Sequence, residues 1–590
     1  MTRTRTTMLF ALGLLLGVGV AALALTALHG SRTSDPRAGA FAAALDLSPL
    51  DRAAVYHRGR LKSFQSFAEE VVAQIAGRPG VHIPAPTAED PDATVRVPAD
   101  FAYLDLMIRP ERYEGLPLVY LKNKPMRAAL AQRLIASGEM DEAGAAVFLE
   151  GGQLPVSTLL GPATGEAMAV WSRDLVRTAK FVDQIENAIA LSRRQTLGDI
   201  LRIVPPPNGD AQTPWLSVND LWAGGDAGPR TPAESLAASM DPAVRTPMQF
   251  AWARFVDAWR TEDAIAANAA LAEFCARAQG VAPTLYPHTA RLGMEAWYFE
   301  ARSLVWGWII YLLAVVVLLM GVAFRWDGAR ALGLGIFAAA LAVQTASLGL
   351  RWYVSGRWPN SNMFEAVTTS VWFGAVLAVV LEILARRTPV RNLFAIGAGV
   401  ASMAAMMSAQ YATRLDASIN NMMPILHDLW LYIHTNVIIA SYALIAMAAV
   451  TAILYLVRRV IVGGMDYARV GGTGMLLETG AGPAPRRTTL GEVFDGATLV
   501  LMELSFVLLW AGIVMGAIWA DHSWGRPWGW DPKEVFALNT FLVFVVLIHV
   551  RLKVRDKGLW TAVLAVVGCG VMLFNWIVIN FVISGLHSYA

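Results

Sequence analysis

The sequence predicts a mainly α-helical, polytopic membrane protein with a largely helical domain outside the bilayer after its first span. Three observations carry this. Over half of the 590 residues are hydrophobic and only 16% are charged. Nine apolar runs approach the roughly 20 residues that cross a bilayer as a helix. Between the first two runs lies a segment of ordinary polarity, about residues 30–303, long enough for a core of its own. The net charge of +2 gives no electrostatic case for nucleic acid. Two cysteines, Cys275 and Cys569, with no CxxC or CxxCH spacing, exclude a dithiol oxidoreductase and a c-type cytochrome.

Taken in order, residues 1–7 carry two arginines and about 8–28 are apolar. A signal peptide has a similar pattern, but no clear small-residue cleavage site follows Leu28, so residues 1–29 read as a retained membrane anchor. In segment 30–303, Met168–Arg194 and Ala243–Ala278 have helical periodicity, with Pro205–Gly209 as a loop between them. The segment has no nucleophile constellation and no phosphate loop. Its His57, His82 and His288 are scattered and read as packing or surface residues.

Eight further spans are expected near 304–324, 330–349, 365–386, 392–410, 435–457, 496–519, 535–553 and 560–583, making residues 304–590 a membrane domain. Alternate connections are basic: Arg325 and Arg330; Arg386, Arg387 and Arg391; Arg458, Arg459, Arg469, Arg486 and Arg487; Arg551, Lys553, Arg555 and Lys557. The positive-inside rule puts these and the N-terminus in the cytoplasm. Segment 30–303, the 350–364 and 411–434 connections and the C-terminus then lie outside. Residues 458–495 read as a Gly-rich cytoplasmic loop.

The chemistry is concentrated in Trp519–Glu534, read as a short outer loop between two spans. Trp519, Trp524, Trp528 and Trp530 fall within twelve residues. Tryptophan at a bilayer edge can anchor lipid, or it can form a flat shelf for a planar ligand. A lipid belt needs only one or two per helix end, so the density favours the shelf. His434 and His587 flank this stretch on the outer side, and His549 lies inside a span near the inner leaflet. A histidine in a membrane helix often only bonds a neighbouring helix, but it is also a functional-site candidate. Neutral imidazole is an axial ligand for haem iron, and two of them across an aromatic shelf are what a bound haem requires. His427 and His522 are weaker candidates, and capping or snorkelling accounts for His29. Asp531-Pro532-Lys533-Glu534 has the pattern of a capping box, as do Asn362–Glu365 and Thr489–Glu492. Capping also accounts for Asp531 beside the shelf, with no acid–base role. Arg351, Arg357 and Arg526 near the same rim suit haem propionates or lipid phosphate equally well.

These motifs resemble the CcsA (ResC) family. Trp524-Gly-Arg-Pro-Trp528-Gly-Trp530-Asp531-Pro-Lys-Glu534 looks like its WWD tryptophan-rich motif. Arg351–Glu365 resembles its RW…G…P…N.YE segment, with Phe364 in place of the tyrosine. Leu429–His434 with Ser441-Tyr442 resembles WL.IH…SY, and Gly585–Tyr589 matches GLHSY. The resemblance covers about 304–590, and segment 30–303 resembles only the extension some long members carry. It implies system II cytochrome c biogenesis at a bacterial inner membrane. Haem b, as substrate, crosses from the cytoplasm and is held at the periplasmic Trp-rich site, Trp519 to Asp531. There it is joined to the CxxCH of an apocytochrome c, a holocytochrome-c synthase type of lyase activity. The resemblance makes His434 and His587 the outer iron ligands and His549 one inner ligand. The second inner histidine belongs to a CcsB (ResB) portion, which has no equivalent here; Gln344 stands where no histidine is available. A CcsB-like partner subunit is therefore expected, and a thiol-reducing protein is a further candidate partner. A haem exporter without ligation activity and a transporter of another substrate remain as alternatives.

Overall fold

The computed structural model describes residues 3–29, 39–85, 93–175, 177–222, 231–412, 415–422, 427–469 and 488–579. Its contacts fall into two units, Met1–Thr26 with Ala301–Ala590, and Ala27–Glu300.

The first unit is helical. Among the described residues, nine helices are long and apolar enough to cross a membrane. They begin with Thr4–Ala27 and continue through Arg302–Ala323, Asp327–Ser355, Met363–Ala385, Leu393–Tyr411, Leu429–Val462, Leu490–Trp524, Pro532–Lys553 and Lys557–Ile579. The chain is a polytopic helical membrane protein. Two helices are longer than their apolar runs suggest. Leu429–Val462 has 34 residues and Leu490–Trp524 has 35, so each rises roughly 50 Å against a hydrocarbon core of roughly 30 Å. They start at side-chain caps, Asp428 and Thr489, and run until Gly463 and Gly525 end them. Hydropathy marks only the lipid-facing stretch, whereas caps and breakers mark the helix. The basic connection therefore spans 463–489, of which 470–487 lie outside the described residues.

The first helix packs within this unit. A methyl group at Gly13 would overlap the Leu332 carbonyl, and one at Gly335 would overlap the Phe10 carbonyl. Small residues allow this backbone approach, which is how helices bind each other where burial from water supplies no drive. Several arginines of the basic connections are held by carboxylates. Arg551 makes a two-pronged pair with Asp495 at 2.8 and 2.9 Å, and Arg459 pairs with Asp556. Arg391 pairs with Asp327.

At the other helix ends, Glu365 is completely buried. It accepts from Arg351 Nε and Arg357 Nη1, both at 2.9 Å, and from Ser361 N at 2.7 Å. Nη1 and Nη2 of Arg351 donate to the Ala417 and Ser418 carbonyls, and Nη2 of Arg357 donates to the Asn420 carbonyl. Phe364, the departure from the family's tyrosine, lies under the Arg351 guanidinium at 4.9 Å. One carboxylate thus ties the end of one helix, the start of the next and segment 415–422. The capping box expected at Asn362 is half formed. Asn362 caps Glu365 N, but the Glu365 side chain turns to the arginines. The boxes at Thr489 and Asp531 are complete.

The second unit is mostly helical around one aromatic core. Trp259 is fully buried and donates to Asp105, which also accepts from Tyr113. Four two-stranded antiparallel ladders accompany the helices: Ala54–His57 with Arg60–Ser63, Val81–Pro84 with Thr94–Val97, Val119–Tyr120 with Gln153–Leu154, and Arg202–Val204 with Leu216–Ser217. At two to four residues each, they are too short for an alternating pattern to register. Both long helical runs expected here are broken. The first divides into Pro162–Trp171 and Ala179–Leu191. The second divides into Pro242–Arg260 and Ala264–Val281, with Glu262 left-handed between them and Asp263 capping the next helix. The Pro205–Gly209 loop lies within the last ladder. His57 is a packing residue, edge-on to Phe67 at 5.1 Å, and burial pushes its pKa down to about 4.

Replacing Glu365 with alanine leaves two guanidinium groups sequestered without their anion, a change that costs roughly 3–5 kcal/mol in comparable pairs. The apparent melting temperature of the detergent-purified Glu365→Ala protein should fall markedly. An unchanged transition would show that the carboxylate does not organise this rim.

Candidate functional site

The Leu429–Val462 and Leu490–Trp524 helices lie side by side and form one wall of a cavity of about 270 Å³. The loop 525–531 and the first turn of Pro532–Lys553 form a second wall. Asn360 to Met363 and the C-terminal Asn575 and Trp576 complete it. The lining is apolar and aromatic with a few polar groups, the usual character of a small-molecule site.

His434 faces this cavity. Its Nδ1 lies 2.7 Å from the Gly512 carbonyl, so Nδ1 carries the proton and donates, and the lone pair of the neutral ring is on Nε2. Fixing the tautomer through the second nitrogen is how ligating histidines are oriented. The seat is sterically defined as well. A Cβ built at Gly516 would stand 2.6 Å from the imidazole, and one at Gly512 would stand 2.6 Å from Ile438. Gly512-Ile-Val-Met-Gly516 is therefore a groove in the helix surface into which the ring fits.

The tryptophans divide. Trp519 is 1% exposed and lines the cavity, as does Trp528. Trp524 stands edge-on to Trp519 with ring centres 4.9 Å apart. Trp530 is 73% exposed, with a left-handed backbone, and packs edge-on against Trp528 at 6.0 Å. The aromatic stretch is not one loop, as its spacing suggested. Trp519 and Trp524 belong to the helix, because no glycine or proline stands between Trp519 and Gly525. Asp531 is buried as the cap of the following helix, accepting from Lys533 N at 3.1 Å. Glu534 accepts from Gly529 N and Asp531 N, closing the loop on itself.

The remaining candidates lie elsewhere. Arg351 and Arg357 are committed to Glu365 and do not line the cavity, and Arg526 is exposed on the loop. His549 is exposed on its helix and bonds back to the Val545 carbonyl at 2.8 Å. At eighteen residues from Asp531 it is roughly 27 Å further along the helix. His427 and His522 are also exposed and do not line the cavity. His587 lies outside the described residues, as does the side chain of His29.

Sequence reasoning missed five contributors. Tyr442 lines the cavity, receives a hydrogen bond from Asn575 at 3.0 Å and meets Trp576 edge-on at 5.5 Å. Asn575 and Trp576 begin a π-helical turn, a feature that often marks functional sites. Asn360 donates to Thr435 at 3.1 Å, and its buried Oδ1 lacks a hydrogen-bond partner among the described residues. Lys533 is the fifth. Asn360, Tyr442 and Lys533 stood inside quoted motifs, but a motif does not say which of its members face inward. Gln344, considered where a histidine was lacking, is buried, accepting from Tyr311 and donating to the Thr368 carbonyl.

Fold and site together define a class: a multi-pass helical membrane protein with a histidine-bearing, Trp-lined cavity at one set of helix ends. The profile of the Cytochrome C assembly protein family matches residues 360–587, a range that includes His434, His549, His587 and the four tryptophans from Trp519 to Trp530. Cytochrome c biogenesis protein CcsA of Synechococcus elongatus is 31% identical over 300 residues, covering 46% of this chain and 90% of that protein. CcsA of Thermosynechococcus vestitus is 30% identical over 314 residues, covering 48% and 97%. CcsA of Guillardia theta is 31% identical over 272 residues, covering 44% and 85%. The chain belongs to the CcsA family of cytochrome c biogenesis proteins.

Gly516→Ala should lower the apparent melting temperature, since a methyl group in a filled contact costs roughly 1–3 kcal/mol. In a His434→Ala background the same substitution should cost far less, because the obstructing ring is gone. Equal losses in both backgrounds would mean that the imidazole does not occupy the groove.

Proposed function

We propose that this cavity holds haem and presents it for covalent attachment to an apocytochrome c. The single observation that carries the reading is the shared cavity of His434, Trp519 and Trp528, in a chain of the CcsA family. Imidazole Nε2 supplies an axial ligand to the iron, and the indoles supply the apolar, planar-sided surroundings that a porphyrin needs. His587, by its place in the terminal GLHSY motif, is the second axial ligand.

The protein contributes position rather than proton transfer. Haem is held with its vinyl groups accessible, and each cysteine of an incoming CxxCH adds across one of them. The sulfur bonds to the vinyl carbon next to the ring, the thiol hydrogen goes to the terminal carbon, and nothing leaves. The addition is redox neutral. The thiolate is the attacking form, so a reduced motif is required, which leaves room for a thiol-reducing partner. The histidine of the motif then replaces one axial ligand.

The basic connections, read by the positive-inside rule, support an outer, periplasmic position for the cavity in a bacterial inner membrane. His549 would ligate haem on its way from the cytoplasmic side. Its exposure on the helix suits a site completed by another chain, consistent with a CcsB-like subunit. The Ala27–Glu300 unit is then the extension that meets such partners.

The test is purification of wild type, His434→Ala with His587→Ala, and His549→Ala, each with haem quantified by absorbance and with a co-expressed CxxCH reporter. The double variant should lose at least about tenfold in bound haem and in reporter maturation, since axial ligation is removed. Unchanged haem and maturation would end the proposal. His549→Ala should reduce haem loading while leaving the outer site able to take up added haem, and normal loading would remove its assigned role.

A further inference from the structure

We propose that Tyr442 and Asn575 form the inner anchor of the site, hydrogen-bonding the propionate edge of the porphyrin so that its vinyl edge points toward the tryptophan loop. The inference rests on the haem reading above and adds to it which way round the ring is held.

Apart from the indoles, the polar side chains among the described residues of the lining lie at two levels. Asn360 to Asn362, His434, Thr435, Lys533 and Glu534 stand within about two turns of a helix start. Tyr442 lies further along Leu429–Val462, roughly 12 Å beyond His434 on the helix axis. Ile438 and Ile439 line the wall between the two, and Ile513 lines it from the neighbouring helix. Asn575 meets Tyr442 from the end of Lys557–Phe574. The pair is a polar spot at the inner end of an apolar wall.

Both side chains are buried there, and the direction of their bond decides what they can do. Asn575 Nδ2 donates to the Tyr442 hydroxyl oxygen at 3.0 Å. The phenolic hydrogen is left to donate in turn, and the amide nitrogen keeps a second hydrogen. Receiving a hydrogen bond polarises the hydroxyl and strengthens its own donation. Trp576 holds the phenol ring edge-on at 5.5 Å. A carboxylate that enters an apolar region must recover its lost hydration, and a charge-assisted bond from a hydroxyl is a strong replacement.

The layout of the ligand matches. Haem carries its two vinyl groups on one side and its two propionates on the other, so attachment at an accessible vinyl edge turns the propionates inward. With the iron at His434, the separation of His434 from Tyr442 is comparable with the reach from iron to a propionate carboxylate. His434 then fixes the centre of the ring, and the Tyr442–Asn575 pair fixes its rotation about that centre.

The experiment titrates detergent-purified full-length protein with iron protoporphyrin IX and with its dimethyl ester, following the Soret band. Wild type should bind the free acid about tenfold more tightly, the scale of one hydrogen bond to a charged group. Tyr442→Phe removes the donor at nearly constant volume. It should lose most of that preference while keeping the ester affinity, which also certifies its fold. A second measurement needs no variant: a water-soluble carbodiimide with an added amine should amidate the propionates of free haem many times faster than those of haem bound to wild type, read by the mass of the extracted porphyrin. Equal binding of both porphyrins by wild type, a preference undiminished in Tyr442→Phe, or bound propionates amidated at the free rate would each overturn the anchor and leave the haem site standing. Binding of neither porphyrin by wild type would overturn the haem reading itself. If Tyr442→Phe fails to fold, the carbodiimide result decides.

Discussion

The closest constraint on the site is the approach of two helix backbones at Gly512 and Gly516. In hydrocarbon, no hydrophobic drive pulls helices together, so packing and polar bonds must do so. Here the two coincide. The helix surface is hollow where glycines replace side chains, and the hollow is filled by an imidazole whose Nδ1 donates to a main-chain carbonyl. The contact sets the separation of the two longest helices, the tautomer of His434 and the position of Trp519 three residues beyond Gly516. A polar side chain is thus half-buried at little cost, because its Nδ1 proton has a partner and its ring has a fitted surface.

Much of this was legible in the chain itself. Spans follow from apolar length, and the nine candidate membrane helices among the described residues fall where the hydropathy placed them. Their ends do not follow from hydropathy. Trp519 and Trp524 were assigned to a loop because tryptophan, glycine and proline cluster there, yet the helix persists to Gly525. A helix ends where its hydrogen bonds end, and indole side chains do not interrupt them. The short ladders of the second unit, and the break at Thr261–Asp263, were hidden for a related reason. Pieces of two to four residues carry no periodicity, and Glu262 adopts a left-handed backbone without being glycine or asparagine.

The arginines show where residue type misleads. Arg351 and Arg357 lie in a motif near the rim, and a guanidinium suits a propionate well. The same chemistry suits Glu365, which the chain supplies at a fixed distance of two helix ends. An internal carboxylate ordered by folding binds before any ligand arrives and pays no association entropy. Sequence alone ranks arginines by what they can bind, whereas the fold decides what is within reach. Tyr442 and Asn575 escaped notice for the opposite reason: 133 positions apart, they are joined only by the tertiary structure.

The polar groups of the cavity follow one rule. Three carboxylates near it bond main-chain amides or arginine and so set shape: Asp531 and Glu534 on the loop, Glu365 on the rim. Those bonds hold the loop and the rim in place around the lining, on which Lys533 and Glu534 stand together with the imidazole of His434. That is why the capping box beside the tryptophans and the composition of the cavity belong to the same design.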